Sequence, residues 1–503
     1  MEFDAAVKKA FCFGSSDEKK AVVPLECSII LPDYFPDVMK ILRYTAKTVK
    51  SPVYSDAAGE TVSGNVNIEV NYVSEEGELC FCSQLQPFSH VFECGGKIAA
   101  AEAEICVGEL GCRAVNKRRI DLHGSIEIFL RTLSFEEKEF VSSVKGCGAV
   151  VKTEEAEEVV ITGEYSKSFS VEETEEIGYG KPNFGKVIRA SAFAQATECH
   201  VIQDKIVTKG EVKVDILWQP EFDEENEETG PFLSSFSFPV SRMVDAEGIL
   251  MTDICDARYE AEFPEINPES DGRAFGIKVK INIFARTYRK ESLVFVKDMF
   301  SSEYETKTEK EKLCFIKEAL PVLVTENVFE KPELTENAKN VTDIWAEVLS
   351  SKITEDGKAA FTLKICMFAK DEDEVPLYFE KTAEKEVPLF ESGKEIVFYN
   401  LFAGVKSCEY SFGKDGKAEV SISVLIDGTV YTGLSTEAIF RCSVDENKKI
   451  ERKNAAMILC YAEKGENIWD IAKKYRAPLD DILLENGILG EVLLEKTMLV
   501  IPG

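Results

Sequence analysis

Apolar and polar residues alternate with a period of two along much of this chain. In VSGNVNIEVNYV (62–73), Val66, Ile68, Val70 and Tyr72 fall on one side and polar residues on the other, the pattern of a strand with one buried face. After the Glu75-Glu76-Gly77 turn a returning strand is predicted at Leu79–Cys82. RRIDLHGSIEIFLRT (118–132) alternates again through Ile126, Ile128 and Leu130. Ahead of these, Val22–Leu31 reads as extended and apolar. Pro36-Asp37 then starts a predicted short helix, with Val38, Ile41 and Leu42 as its apolar face.

The same order recurs. Pro182-Asn183-Phe184-Gly185-Lys186-Val187-Ile188-Arg189 matches Pro36-Asp37-Val38-Met39-Lys40-Ile41-Leu42-Arg43 at an offset of 146. VTKGEVKVDILW (207–218) matches 62–73 at an offset of 145, and IKVKINIFART (277–287) answers HGSIEIFLRT, both copies ending in Arg-Thr. A more divergent third copy has AAFTLKICMFA (359–369) and AEVSISVLIDG (418–428), with its helix start near Pro332. A period near 145 residues is domain-sized rather than solenoid-sized. The predicted fold is mainly β (α+β): three repeated antiparallel domains, each with a short helix. The expected boundaries are a flexible lead over 1–20, β domains over 21–152, 159–303 and 313–444, and a linker over 445–456. They fall in charged runs: TEEAEE at 153–158, YETKTEKEK at 304–312 and DENKKIERKN at 445–454.

The period changes in the last segment, 457–503. Met457–Tyr461 reads as a strand, followed by a turn at Lys464-Gly465. Ile468, Ile471, Ala472 and Tyr475 then fall at helical spacing, and Arg476-Ala477 breaks that helix. Pro478 suits the first turn of a second helix carrying Leu479, Ile482, Leu483 and Asn486, which Gly487 stops. Met498–Ile501 is a final strand. The unit is a small βααβ module.

Charge changes the picture more than composition does. The net charge of −31 over 503 residues argues against nucleic acid and anionic membrane surfaces, which call for clustered Lys and Arg. No apolar run approaches the roughly 20 residues that span a bilayer, and MEFDAAVKKAFCFGSSDEKK lacks a signal peptide's apolar core. The expected location is therefore cytoplasmic. The fifteen cysteines show no pairing framework and no C-x-x-C. They read as reduced, mostly buried thiols, with later oxidative cross-linking as the sharper alternative.

Candidate chemistry is sparse. Gly180-Lys181-Pro182-Asn183-Phe184-Gly185-Lys186 fits G-x-x-x-x-G-K, but Val187 stands where Ser or Thr would hold magnesium, and Pro182 removes a backbone donor. Three histidines, none in a recognisable motif, offer poor ground for acid–base catalysis. The acidic clusters Asp223–Glu228 and Asp371–Glu374 lack EF-hand spacing and read as hairpin tips. No catalytic residue, metal or cofactor is expected. Trp469 lies at the edge of its helix's apolar stripe. It serves either as core packing or as an anchor for a protein partner.

With its pattern YxxxxGxxIWxIAxKY…LDxILxxN…LxxxxxLxIP, the 457–503 module resembles a LysM domain over roughly a tenth of the chain. That resemblance implies a groove between Gly465-Glu466-Asn467, with Trp469 nearby, and Ile488-Leu489-Gly490. In the family such a groove binds N-acetylglucosamine polymers or is reused for protein docking. The usual Gly-Asp-Thr turn reads Gly-Glu-Asn here, and Pro-Gly-Gln is replaced by Leu494-Glu495-Lys496, which counts against sugar. The tandem domains, with their LPxxxPDVxKIL start and VxGxVxIxVxY strand, look like SPOCS domains. Several of these followed by one LysM resemble the SipL-type clostridial spore-coat morphogenesis proteins. The resemblance implies a non-enzymatic adaptor in the mother-cell cytoplasm at the forespore surface. It would dock through its LysM domain onto the coat's basement-layer ATPase and bridge other coat proteins. The alternative is a protein of the wall or spore cortex that binds peptidoglycan through the LysM groove.

Overall fold

A computed structural model describes residues 3–502 apart from 57–58, 96, 222–229, 270–271, 333–339, 392, 414–416 and 451–456. The chain is mainly β, as the alternation predicts, and its sheets are antiparallel. Three similar units follow one another. In the first, Arg119–Lys145 is flanked by Asp4–Ile30 and Lys97–Asn116, and a second sheet has Gly59–Ser74 between Val38–Lys50 and Leu79–Phe92. In the second unit the central strands are Ala274–Ser301 and Lys205–Pro220. In the third they are Ala418–Lys449 and Lys358–Lys370. Each pair of sheets encloses a core of its own, around Val66, Ile68 and Ile128 in the first unit, Val214, Ile216 and Ile281 in the second, and Leu363, Ile422 and Val424 in the third.

The predicted helices at the first two repeat starts are strands instead, while the third, expected near Pro332, falls largely outside the described residues. Val38–Lys50, Phe184–Ile202 and Asn340–Ile353 pair with the central strand of their second sheet. Register shifts near the start of the first strand, between Val38 and Lys40 and between Ile41 and Arg43, disturb its inside–outside alternation. A bulge of this kind imitates helical spacing in the sequence. Thr45, Thr48 and Val49 are β-branched and favour the pleated conformation.

The second repeat also sits one position from the 145-residue match at 207–218. Tyr44 faces Val70 and Ala190 faces Ile216, so both strands share the offset of 146. Gly64 and Gly210 become equivalent. At each, a Cβ would stand 2.3 Å from a neighbouring carbonyl, of Val49 and of Gln195 respectively. A one-residue slip would also turn every side chain to the wrong face.

The charged boundary runs are not linkers. The 153–158 run lies inside Ala149–Glu176, and 304–312 lies inside Tyr304–Glu330. Residues 445–449 finish Ala418–Lys449, while 451–456 lie outside the described residues. The expected lead over 1–20 is likewise strand, from Asp4 onward. In each unit the opening and closing strands continue past their sandwich as a two-stranded ribbon. The inner faces of the three ribbons pack together: Ala10, Cys12 and Phe140 from the first, Leu293 and Phe295 from the second, Leu313, Phe315 and Ala438 from the third. Flanking layers contain Leu133, Tyr288 and Tyr431 on the sandwich side and Val141, Met299 and Ile439 toward the ribbon ends.

The second sheets also converge. Trp345 of the third unit lies between two guanidinium groups, Arg43 at 5.2 Å and Arg189 at 4.9 Å from its ring centre. Arg43 pairs with Glu69 (3.2 Å) and Glu347 (2.9 Å), and Arg189 with Asp343 (2.8 Å). Burial opposes ionisation of Glu347, yet Lys47 and Arg43 hold its carboxyl well below the usual range.

Glu158 contrasts with these paired acids. It is 2 % exposed beside the ribbon core, and its Oε2 accepts no hydrogen bond. Burial, aided by Glu291 opposite in the ladder, pushes its carboxyl up to about 7 from an ordinary 4.5. The favourable, protonated form is present in full below 4.5 and is lost as pH rises through 7. Glu158→Gln is therefore expected to raise stability at pH 8 by up to about 3 kcal/mol, with the gain vanishing near pH 4.5. Urea melts of both proteins at the two pH values measure this, and an equal effect at both would contradict the assignment.

Candidate functional site

The C-terminal module forms as its sequence pattern requires. Met457–Ala462 pairs antiparallel with Thr497–Pro502, and between them lie helices α1 (Ile468–Tyr475) and α2 (Leu479–Asn486). Asn467 caps α1, its side chain accepting the Trp469 N–H at 2.8 Å. Arg476 closes α1 in the left-handed region, and Gly487 does the same for α2. Asn486, placed by the sequence only on α2, stitches that helix to the last strand. Its Nδ2 donates to Ile482 O and Val500 O, and its Oδ1 accepts the Val500 N–H, at 2.7–2.8 Å.

The two predicted groove loops lie together. The Gly465 N–H donates to Leu493 O (2.8 Å), the Leu493 N–H to Glu466 O (3.0 Å), and the Ile468 N–H to Glu491 O (2.8 Å). This short ladder places Gly465-Glu466-Asn467 beside the segment that follows Ile488-Leu489-Gly490. Gly465 has a φ of +90° with open space where a Cβ would be, so backbone conformation rather than crowding calls for glycine there. Glu466 and Gly490 are exposed, Asn467 and Ile488 are partly buried, and Leu489 is fully exposed at 104 %. Leu484 and Leu494 also stand in solvent.

Trp469 is not part of that open surface. It is 3 % exposed, and much of what covers it comes from the second β unit. Its Nε1 donates to Asp298 (2.9 Å), its ring meets Phe300 edge-on at 5.3 Å, and Val150 packs into the same cluster. Lys473 donates to both oxygens of Asp298 (2.8 and 2.7 Å). Arg476 donates to the carbonyls of Ser301 and Tyr304 (both 3.1 Å), and Lys152 pairs with Glu491. Trp469 therefore combines core packing with anchoring, and the surface it anchors to belongs to this chain. Sequence reasoning missed Asp298, Phe300 and Val150, which sit at strand ends with no local signal. Lys473 was legible only as a polar residue of α1, and Arg476 only as the break that ends it.

The other sequence candidates take structural places. Lys186 of the G-x-x-x-x-G-K match lies on a strand and pairs with Glu78 of the first unit, so no helix follows to receive a phosphate. Asp371 accepts the backbone N–H groups of Asp373 and Val375 at a hairpin tip (both 2.9 Å), and Asp223–Glu228 lie outside the described residues. No group of three or more potential metal ligands occurs among the described residues. No described helix is long and apolar enough to cross a membrane. A cavity of about 120 Å³ opens where the three units meet, lined in part by Lys50, Glu102, Glu164, Arg258, Arg286 and Asp427. Among its charges, Arg258 pairs with Glu102 (3.2 Å) and Arg286 with Glu164 (2.7 Å). Comparison with family models, with curated proteins and with solved structures returned no match.

The docking contact has a direct test. Burial would raise the Asp298 carboxyl, but hydrogen bonds from Lys473 and Trp469 hold it below 3.8. Its contribution is therefore present above pH 3.8 and lost as pH falls below it. Asp298→Ala should weaken docking by about 1–3 kcal/mol and shift tryptophan emission to the red. Trp218 and Trp345 are buried elsewhere, so Trp469 reports the change. Unaltered emission together with unaltered protease sensitivity around 451–456 would refute the anchor.

Proposed function

We propose that this protein is a non-enzymatic assembly adaptor of the spore envelope. Its LysM-like module engages a protein partner through the loops 465–467 and 488–490, while the three β units form the scaffold that recruits or bridges coat proteins. The observation that carries this reading is the division of the module into two faces. One, with Trp469, is held by the protein's own second unit. The other presents Leu489 and its neighbours to solvent. An exposed aliphatic side chain on a hydrogen-bonded loop suits the buried centre of a protein interface.

The resemblance to SipL-type proteins points to the basement-layer sporulation ATPase as the partner class and to the mother-cell cytoplasm at the forespore surface as the place of action. Net charge of −31 favours a partner with a basic face. Linking three units and one docking module in a single chain raises the local concentration of whatever the units recruit.

The test is a titration of the full chain against that ATPase and, separately, against chitin oligomers and peptidoglycan. The expected result is binding to the ATPase, weakened at least tenfold by Leu489→Asp with melting temperature unchanged, since Leu489 is fully exposed. Binding to glycan alone would replace the adaptor reading with the wall-binding one.

A further inference from the structure

Of the fifteen cysteines, two face each other across the second unit. Cys199 lies on Phe184–Ile202, an edge strand of one sheet, and Cys255 on Ile254–Ala261, an edge strand of the other. Their Sγ atoms are 2.7 Å apart, and both residues are partly exposed. A disulfide requires about 2.05 Å between sulfurs, so only a small movement separates the two thiols from a bond. The equivalent places in the first unit hold no thiol. Cys199 corresponds to Val53 by the 146-residue offset, and Cys255, opposite Thr287, corresponds to Ala101, opposite Thr132. Other thiols are engaged differently: Cys314 meets the Ser435 hydroxyl, and Cys366 receives the Tyr378 hydroxyl.

From this placement we infer that Cys199 and Cys255 form a redox-sensitive cross-link that staples the two sheets of the second unit under peroxide. The chemistry balances in two steps. One thiol attacks hydrogen peroxide, so the O–O bond breaks, a sulfenic acid forms and water leaves. The second thiol then attacks that sulfur, the S–O bond breaks, the S–S bond forms and a second water leaves. Two thiols lose two electrons and one peroxide gains them. The bridge would close a loop spanning 56 positions of sequence. Loops of this length restrict the unfolded chain strongly, so the oxidised protein should melt at a higher temperature. The inference does not depend on the adaptor reading.

The experiment uses the full-length reduced protein and hydrogen peroxide. The expected result is early loss of two of the fifteen thiols, before the rest react, with a rise in melting temperature that dithiothreitol reverses. Tryptic digestion without reductant should yield residues 190–205 linked to 243–258, two hydrogens lighter than their sum. Cys199→Ser and Cys255→Ser should each abolish that product and the temperature shift. The wild-type peptide map decides the matter even where a variant fails to fold. Uniform loss of all thiols, a first-formed bridge between other cysteines, or oxidation of one thiol without the linked peptide would each overturn the proposal.

Discussion

The three ribbons can bury their inner faces only against one another, and the rest of the architecture follows from that requirement. A lone two-stranded ribbon in water is marginal. Here each ribbon carries large apolar groups such as Phe140, Phe295 and Phe315, all fully buried where the three meet. The sandwiches have their own cores, but the ribbons have one between them. A change in any ribbon is therefore felt by the other two. The C-terminal module stands on the end of this shared core, on Phe300 and Val150, so its position depends on all three units.

The approximate threefold arrangement is broken in a consistent way. Arg43, Arg189 and Trp345 are equivalent by register, each beside a matching residue of its central strand: Asn71, Leu217 and Cys366. Arg131, Arg286 and Tyr431 are equivalent in the same sense, each followed by a buried threonine. In both layers the third unit supplies an aromatic ring where the other two supply guanidinium. Three like charges converging in a low-dielectric interior would repel and lack room for counter-ions. Replacing one by a π-face turns repulsion into attraction, as when Trp345 lies between Arg43 and Arg189. A trimer of identical chains could not make that exchange. Tandem repeats on one chain can.

Period-two alternation disclosed the β class and the central strands, because one wet and one buried face leave a strong trace. It failed where that trace was disturbed. Bulges near Val38 and Ile41 gave strand residues a helical spacing. Small residues such as Ala10 and Cys12, deeply buried in the ribbon core, carry too little hydrophobic signal to mark 1–20 as strand. The charged run at 153–158 read as a linker because Thr153, Glu155 and Glu157 are exposed and Glu154, on the inner face, is polar. Its buried member, Glu158, is polar too. The small module was almost wholly legible because its caps, turns and helical stripe are local features. Its docking was not, since Asp298 and Trp469 are 171 positions apart.

That docking bears on what the module recognises. Trp469, the module's sole tryptophan, is committed to Asp298 and Phe300, so it is not available at the two groove loops. What the loops present is Leu489 and Ile488 beside the exposed Glu466, with the Gly465, Glu466 and Ile488 amides already used inside the module. Tyr461 is exposed too, but on the strand Met457–Ala462, outside the two groove loops. A sugar polymer presents hydroxyls that call for unsatisfied donors and acceptors, and an aliphatic side chain with pre-engaged amides offers few. An apolar pocket on a folded protein asks for the opposite: a projecting aliphatic group on a loop held still by its own hydrogen bonds. On the proposed reading, the anchor that fixes the module to the ribbon core leaves outward a surface better suited to a protein partner than to a glycan.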